Sequence, residues 1–245
     1  YRPFDMRPYF HHSSVVELTR DEVMHHMLAG GNVSIDIGRQ GLAVGGEWNI
    51  ITVADSAIDT NVFRRGGVQV FPLYLYPVPE QNLLFREESH WPAGPGGRRP
   101  NLSPKFVADM AGRLGLRFVP DGTGDLEQGG TFGPEDVLHY MYSVFHSPAY
   151  RRRYAEYLKT DFPRLPLTSD RELFAELCRL GRRLVALHLM KEYGDAPARY
   201  PVAGNNVVEK VEFSLVPLTS SSAHFDRLPR GGSSLSDHAE AFPSP

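Results

Sequence analysis

The chain contains a single cysteine, Cys178, among 245 residues. That excludes an internal disulfide and a cysteine-built zinc site, and it suits a reducing cytoplasm. No apolar run approaches the ~20 residues needed to span a bilayer, so no membrane partner is expected. The opening segment YRPFDMRPYF has neither a signal-peptide pattern nor an initiator methionine. The expectation is that the chain begins inside a longer protein or is trimmed from one. A P-loop with its Gly-Lys-Ser/Thr is missing as well. His11-His12 and His25-His26 are adjacent pairs without HExxH spacing, and neighbouring histidines on a helix point about 100° apart. No metal site is expected from them.

What is present reads as one moderate core. With 41% apolar residues, the chain can bury one good core, or one core and a small satellite. Thr19 and Glu22 are placed as a capping box for a helix through Val23, Met24, Met27 and Leu28, stopped by Gly30-Gly31. Val33, Ile35 and Ile37 alternate as a strand does, and residues 48–53 and 68–76 are β-rich runs. Residues 77–100 carry five prolines and three glycines and read as a surface loop. Ser103-Pro104 restarts a helix that Gly115 ends, and residues 116–119 form a candidate strand. Ser169 and Glu172 box a long helix reaching about Tyr193, with Leu173, Leu177, Leu180, Leu184 and Leu187 on its expected buried face. Cys178 lies among these apolar residues and reads as a small core side chain. Trp48 and Trp91 are read as serving the core and a loop.

The stretch from Phe132 to Leu167 carries the strongest signal. Val137, Met141, Val144 and Phe145 return at helical steps, and Ser147-Pro148 then starts a second helix as N-cap and first helical residue. On it Tyr150, Tyr154 and Leu158 share a face, which turns Arg151, Arg152 and Arg153 largely to solvent. From Phe145 to Leu165 five basic residues (Arg151, Arg152, Arg153, Lys159, Arg164) face two acidic ones (Glu156, Asp161), in a chain of net charge −3. A local basic field of this kind attracts phosphate; a solvated helix face is the alternative.

The wording of these segments resembles a known family. His146-Ser147-Pro148-Ala149-Tyr150-Arg151, Asp161-Phe162-Pro163-Arg164 and Tyr200-Pro201-Val202 are part of an ordered set. The set also holds Tyr1-Arg2-Pro3-Phe4-Asp5 with Arg7 and Tyr9, Val23–Leu28, Gly38-Arg39-Gln40, Phe71–Pro77 and Pro100-Asn101-Leu102-Ser103. Together they resemble the target-recognition region of adenine-specific DNA methyltransferases of restriction-modification systems. The nearest types are type ISP (single-polypeptide type I) and fused type II restriction-methylation enzymes. The likeness runs from Tyr1 to about Val211. Past Glu212 the family's final tryptophan-containing segment is not found, and the serine-, proline- and glycine-rich wording reads as a disordered or loosely attached tail.

The resemblance implies an α+β fold, a curved mixed β-sheet with short helices followed by a helical section. The expected domains are 1–160 for target recognition, 161–212 for a helical section packed on it, and 213–245 for the tail. The implied function is sequence-specific binding of double-stranded DNA, with adenine-N6 methylation by a methyltransferase domain outside this chain. S-adenosylmethionine is then that domain's cofactor. Asp121-Gly122-Thr123-Gly124-Asp125 has the look of a glycine loop for this cofactor, but such a loop opens directly into a helix. Here Leu126–Gly133 brings more glycine, so no cofactor is expected in this chain. The family's Asn-Pro-Pro-aromatic motif for the flipped adenine is absent too.

Arginine and glutamine read guanine and adenine edges, which makes Arg39 and Gln40, at the end of a strand and before a glycine-rich loop, the candidate base readers. Tying down that loop is their alternative role. Arg64, Arg65, Arg98, Arg99, Arg151, Arg152, Arg153 and Lys159 are candidate phosphate contacts, with plain solvation as the alternative. Arg2, Asp5 and Arg7 are assigned to the junction with the methyltransferase domain. Two other classes stay open. One is a protein-interaction module that binds a methyltransferase without touching DNA. The other is a small hydrolase using Asp5, His12 or Asp55.

Overall fold

The computed structural model describes residues 6–38, 48–63, 67–78 and 90–192. It shows an α+β protein whose strands are divided among three small sheets. The described elements fall within one unit, Tyr1–Pro197.

The central strand is β1 (Ser34–Gly38), flanked antiparallel by β2 (Ile51–Ala54) and β3 (Val68–Pro72) in the order β2-β1-β3. Ile35 and Ile37 sit on one face, as their alternation requires, but Ser34 and Asp36 on the other face are buried as well. The β-rich run 68–76 serves two sheets. Pro72, which has no N–H to donate, ends β3. The chain then enters β4 (Tyr74–Leu75), which pairs antiparallel with β5 (Arg99–Pro100). Asn32 holds the switch by donating its Nδ2 to the Tyr74 carbonyl and accepting the Tyr74 N–H at Oδ1. A third pair is parallel, β6 (Arg117–Phe118) with β7 (Thr131–Phe132). At two residues β7 is too short for periodicity to reveal.

Of the helices, α1 (Asp21–Leu28) starts without the expected capping box. Arg20 takes a left-handed backbone (φ 50°) ahead of it, and Thr19 donates its hydroxyl to Asp21 instead. His26 and His25 tie α1 to the chain beyond β4, the first accepting the Tyr76 N–H and the second bonding the Pro77 carbonyl. The next helix, α2 (Pro104–Leu114), ends at Gly115, whose φ of 61° suits a residue without Cβ.

The long helices carry the main core. In α3 (Pro134–His146) nine residues are buried, including Val137, Leu138, Tyr142, Val144 and Phe145. It packs against α6 (Arg171–His188), which is capped one residue later than expected. Asp170 Oδ1 accepts the N–H groups of Glu172 and Leu173.

The buried face of α6 also corrects the expectation: it is Phe174, Cys178, Gly181 and Val185. The leucine stripe lies one position round the helix, with Leu173, Leu180 and Leu187 exposed. The reason is Gly181. A Cβ placed there would lie 1.9 Å from the His139 carbonyl oxygen, so the two helix backbones meet at a point only glycine permits.

A second correction concerns the basic helix. It is broken at Tyr154 (φ −106°, ψ 17°) into α4 (Pro148–Arg153) and α5 (Ala155–Leu158). Tyr150 and Leu158 remain buried, while Tyr154 turns outward.

Candidate nucleic-acid interface

The register of the three-stranded sheet gathers several chain segments at one end. Gly38 closes β1, pairs with Val68 at the start of β3, and donates its N–H to the Ile50 carbonyl just before β2. A Cβ on Gly38 would touch Phe63 at 3.1 Å. Gly38 and Trp48 flank residues 39–47, and Phe63 and Gly67 flank residues 64–66. Both pairs of flanking residues therefore belong to this end. The base-reading candidates Arg39 and Gln40 and the phosphate candidates Arg64 and Arg65 lie in those two segments, outside the described residues.

The basic segment reaches the same end. Trp48 is buried and stands edge-on to Phe145, with ring centroids 6.3 Å apart. Over Trp48, at 5.8 Å, lies the Arg151 guanidinium. Arg151 also donates its Nε to the Phe145 carbonyl at 2.8 Å, satisfying an acceptor that the end of α3 leaves open. Arg151 is thus half-buried and joins α3, α4 and the entry to β2, instead of facing solvent with its neighbours. Arg152 and Arg153 are exposed, and the Arg153 guanidinium lies 5.9 Å from the Tyr154 ring. Lys159, also exposed, holds Glu156 at 2.5 Å. The triplet therefore divides into one strut and two outward cations.

At the other end of the sheet, ~17 Å away for a five-residue strand, Arg98 has a different setting. Its Nε donates to Asp121 at 2.7 Å, its Nη1 donates to the Gly31 carbonyl at 3.0 Å, and its guanidinium covers the Tyr74 ring at 4.0 Å. The Asp121 carboxylate beside it pushes the Arg98 pKa further up. Arg99 follows on β5, half-buried, with its Nε buried and without a hydrogen-bond partner. The fold sets Arg98 and Arg99 apart from Arg152 and Arg153, and Asp121, the Gly31 carbonyl and the Tyr74 ring engage Arg98.

Among the junction candidates, Arg7 is exposed, and Arg2 and Asp5 lie outside the described residues. The hydrolase reading gains no support. Asp55 is held by Lys191 at 2.8 Å, and His12 accepts the Ser14 N–H in its own turn. Asp5, its third member, is among the undescribed residues. Among the described residues, no three His, Cys, Asp or Glu side chains gather to hold a metal.

Midway along β1 lies a polar layer that periodicity does not reveal. Asp36 is fully buried; Ser34 donates its hydroxyl to Oδ1, and Oδ2 has no partner. Burial pushes its pKa up to about 7, against the opposing pull of the Ser34 bond. Thr52, opposite Asp36 in the ladder, bonds the Tyr142 side chain, and Tyr142 also bonds His188 Nδ1. The His146 ring lies tilted beside Tyr142, centroids 4.3 Å apart, and burial lowers its pKa to about 4. The available sequence signal was an aspartate between two isoleucines in a strand with no polar face.

Residues 1–221 match the family described as the type ISP C-terminal specificity domain. The chain belongs to that family. The match covers most of the chain and reaches beyond Val211, the limit set by the motifs. No match is found among curated proteins or among solved structures. A specificity domain is the DNA target-recognition module of a restriction-modification enzyme, and it works with the enzyme domains of the same polypeptide. No helix among its described residues is long and apolar enough to cross a membrane.

Proposed function

We propose that this specificity domain reads a short site in the major groove of double-stranded DNA for an adenine-N6 methyltransferase. The reading side chains are Arg39 and Gln40. Arg64, Arg65, Arg152 and Arg153 hold phosphates around them, and Arg151 braces the base of the assembly. Methyl transfer from S-adenosylmethionine to a flipped adenine takes place in a methyltransferase domain outside this chain, in the cytoplasm.

What supports this reading is the shared end of the sheet. Gly38, Trp48, Phe63, Gly67 and Arg151, which flank or brace all these segments, sit there together. A groove reader needs side chains on a rigid strand end with cations on both sides. The described residues that flank these segments, with the exposed Arg152 and Arg153 in the last turn of α4, support that reading.

The test joins the chain to a cognate methyltransferase domain and measures affinity for a panel of single-base variants of the site. Arg39→Ala or Gln40→Ala should relax discrimination at one or two positions, by roughly 1–3 kcal/mol each, and leave the salt dependence unchanged. Full specificity in both variants would show that the base readers lie elsewhere.

A further inference from the structure

We propose that Tyr154 is a DNA-positioning residue, whose ring packs on a deoxyribose of the strand that Arg152 and Arg153 hold by its phosphates. This rests on the DNA-binding reading above and adds to it a contact that carries no charge. Tyr154 comes four residues after Tyr150, so an unbroken helix puts both on one inward face. The break at Tyr154 between α4 and α5 instead turns its ring outward, to 37% exposure, while Tyr150 and Leu158 stay buried. Tyr9, Phe10, Phe71 and Tyr154 are the exposed tyrosine and phenylalanine side chains among the described residues. Of these, Tyr154 is the one that follows directly on exposed arginines.

The rings behind it make a rigid backing. Tyr154 lies against Tyr150 with centroids 4.8 Å apart, Tyr150 against Phe145 at 5.4 Å, and Phe145 against Trp48 at 6.3 Å. The row runs from the buried entry to β2 out to the surface. Its middle is fastened by the Tyr150 hydroxyl, which donates to the Arg164 carbonyl at 2.8 Å. A ring backed in this way has little freedom left to lose on binding, so more of its contact appears as affinity. Beside it lie the Arg153 guanidinium, 5.9 Å from the ring, and the exposed Arg152. The next carboxylate, Glu156, is held by Lys159, which offsets its charge. A DNA strand alternates phosphate and sugar, so a ring adjoining two phosphate-holding cations meets the sugar between phosphates and not the groove floor. Deoxyribose presents uncharged C–H groups there, and tyrosine offers an apolar body to cover them. Such a contact positions the duplex and reads no sequence.

The chain joined to a cognate methyltransferase domain is titrated with cognate and unrelated duplexes across a salt series. Tyr154→Ala, corrected for folded fraction by urea unfolding, should lose about three- to tenfold in affinity on both duplexes. Its slope of log affinity against log salt should stay unchanged, because no phosphate contact is removed. Tyr154→Phe keeps the ring and should bind as wild type does. Tyr154→Lys should regain affinity at low salt and steepen the slope by up to ~0.9, because the new cation lies between phosphates. Wild-type affinity in Tyr154→Ala would make the ring a plain surface aromatic, and a loss confined to the cognate duplex would make it a base reader. An unchanged slope in Tyr154→Lys would set the position away from the DNA backbone. Each of these results overturns the proposal and leaves the assignment of Arg39 and Gln40 standing. A wild-type fusion that binds no DNA would overturn the DNA reading and this contact with it.

Discussion

Arg98 and Arg152 stand near opposite ends of one short sheet, both in basic wording (Arg98-Arg99 and Arg151-Arg152-Arg153). Around Arg98 a carboxylate, a backbone carbonyl and an aromatic face converge, and the guanidinium is used up holding three chain segments together. Around Arg152 the helix PAYRRR offers no acid, and the next carboxylate, Glu156, is taken by Lys159. A basic field survives only where acceptors are absent or already committed. The difference teaches that a run of arginines must be read against the acceptors the fold delivers to it. Arg151 and Arg152 make the point within one triplet, where one residue finds the Phe145 carbonyl and its neighbour does not.

The largest effect should come from breaking the locked end. Arg98→Ala leaves Asp121 and the Gly31 carbonyl without their donor and uncovers Tyr74. The arginine side chain is 18% exposed and the aspartate 32%, so the loss should be about 2–4 kcal/mol, near the lower part of the range for severed buried pairs. Urea denaturation midpoints give the value. DNA affinity, corrected for folded fraction, should not change. A stable variant with a reduced salt dependence of DNA binding would erase the contrast between the two ends.

Between the ends lies Asp36, and its effect is read against pH. The folded protein holds its carboxyl near 7 from an ordinary 3.8, because burial opposes charge. Between those values the folded state keeps a proton that the unfolded chain has lost, so this contribution falls as pH rises. His139 and His146, each lowered by burial to about 4 from 6.5, work in the other direction. The unfolded chain takes up their protons first, so their contribution is complete above 6.5 and is lost as pH falls toward 4. Asp36→Asn removes the opposing member. Its stability should climb more steeply than wild type between about pH 4 and 6.5, by up to ~1.4 kcal/mol per pH unit. Superimposable pH profiles of the two proteins would mean that Asp36 is not held protonated.

How legible this was depended on which residues carried the signal. The strand at Val33–Ile37, the β-rich run 68–76, and the helix starts at Pro104 and Pro148 were readable because alternation, proline and glycine act locally. The face of α6 was not. Five leucines outweigh Phe174, Cys178, Gly181 and Val185 on any apolar scale, but Gly181 wins because its missing Cβ lets α6 touch the backbone of α3 at His139. The capping box at Thr19 yielded to the left-handed Arg20, a backbone state that no propensity announces. At the site, the basic segment and the loop wording were visible in the sequence. The division of the arginines into struts and outward cations was not, because it depends on Phe145, Trp48, Asp121 and Gly31, contributed by distant or differently directed parts of the chain.

Arg151→Ala should fall between the extremes. It removes one hydrogen bond to a helix-end carbonyl and a cation–π contact with Trp48, together about 1–2 kcal/mol of folding stability. Arg151→Lys should recover little of this, since a lysine has neither the Nε fork nor the planar face. Full rescue by lysine, measured by thermal or urea unfolding, would return Arg151 to the role of a plain surface charge.

The smallest effect on stability, and the clearest on DNA, is expected from the open end. Arg152→Ala with Arg153→Ala removes two exposed side chains with no ion pair between them and any described carboxylate, so unfolding should shift by no more than about 0.5 kcal/mol. If both cations hold phosphates, removing them leaves fewer counterions to be released when DNA binds. The slope of log affinity against log salt should then fall by up to ~1.8 for the pair, at ~0.9 per phosphate on duplex DNA. Affinity should drop alike for cognate and unrelated duplexes, because phosphates carry no sequence information. Arg98→Ala in parallel supplies the contrast: a large loss of stability with an unchanged slope. A double variant that keeps its slope would make Arg152 and Arg153 a solvated face. A variant that loses discrimination between sites while keeping its slope would move base reading from the β1–β2 connection to α4.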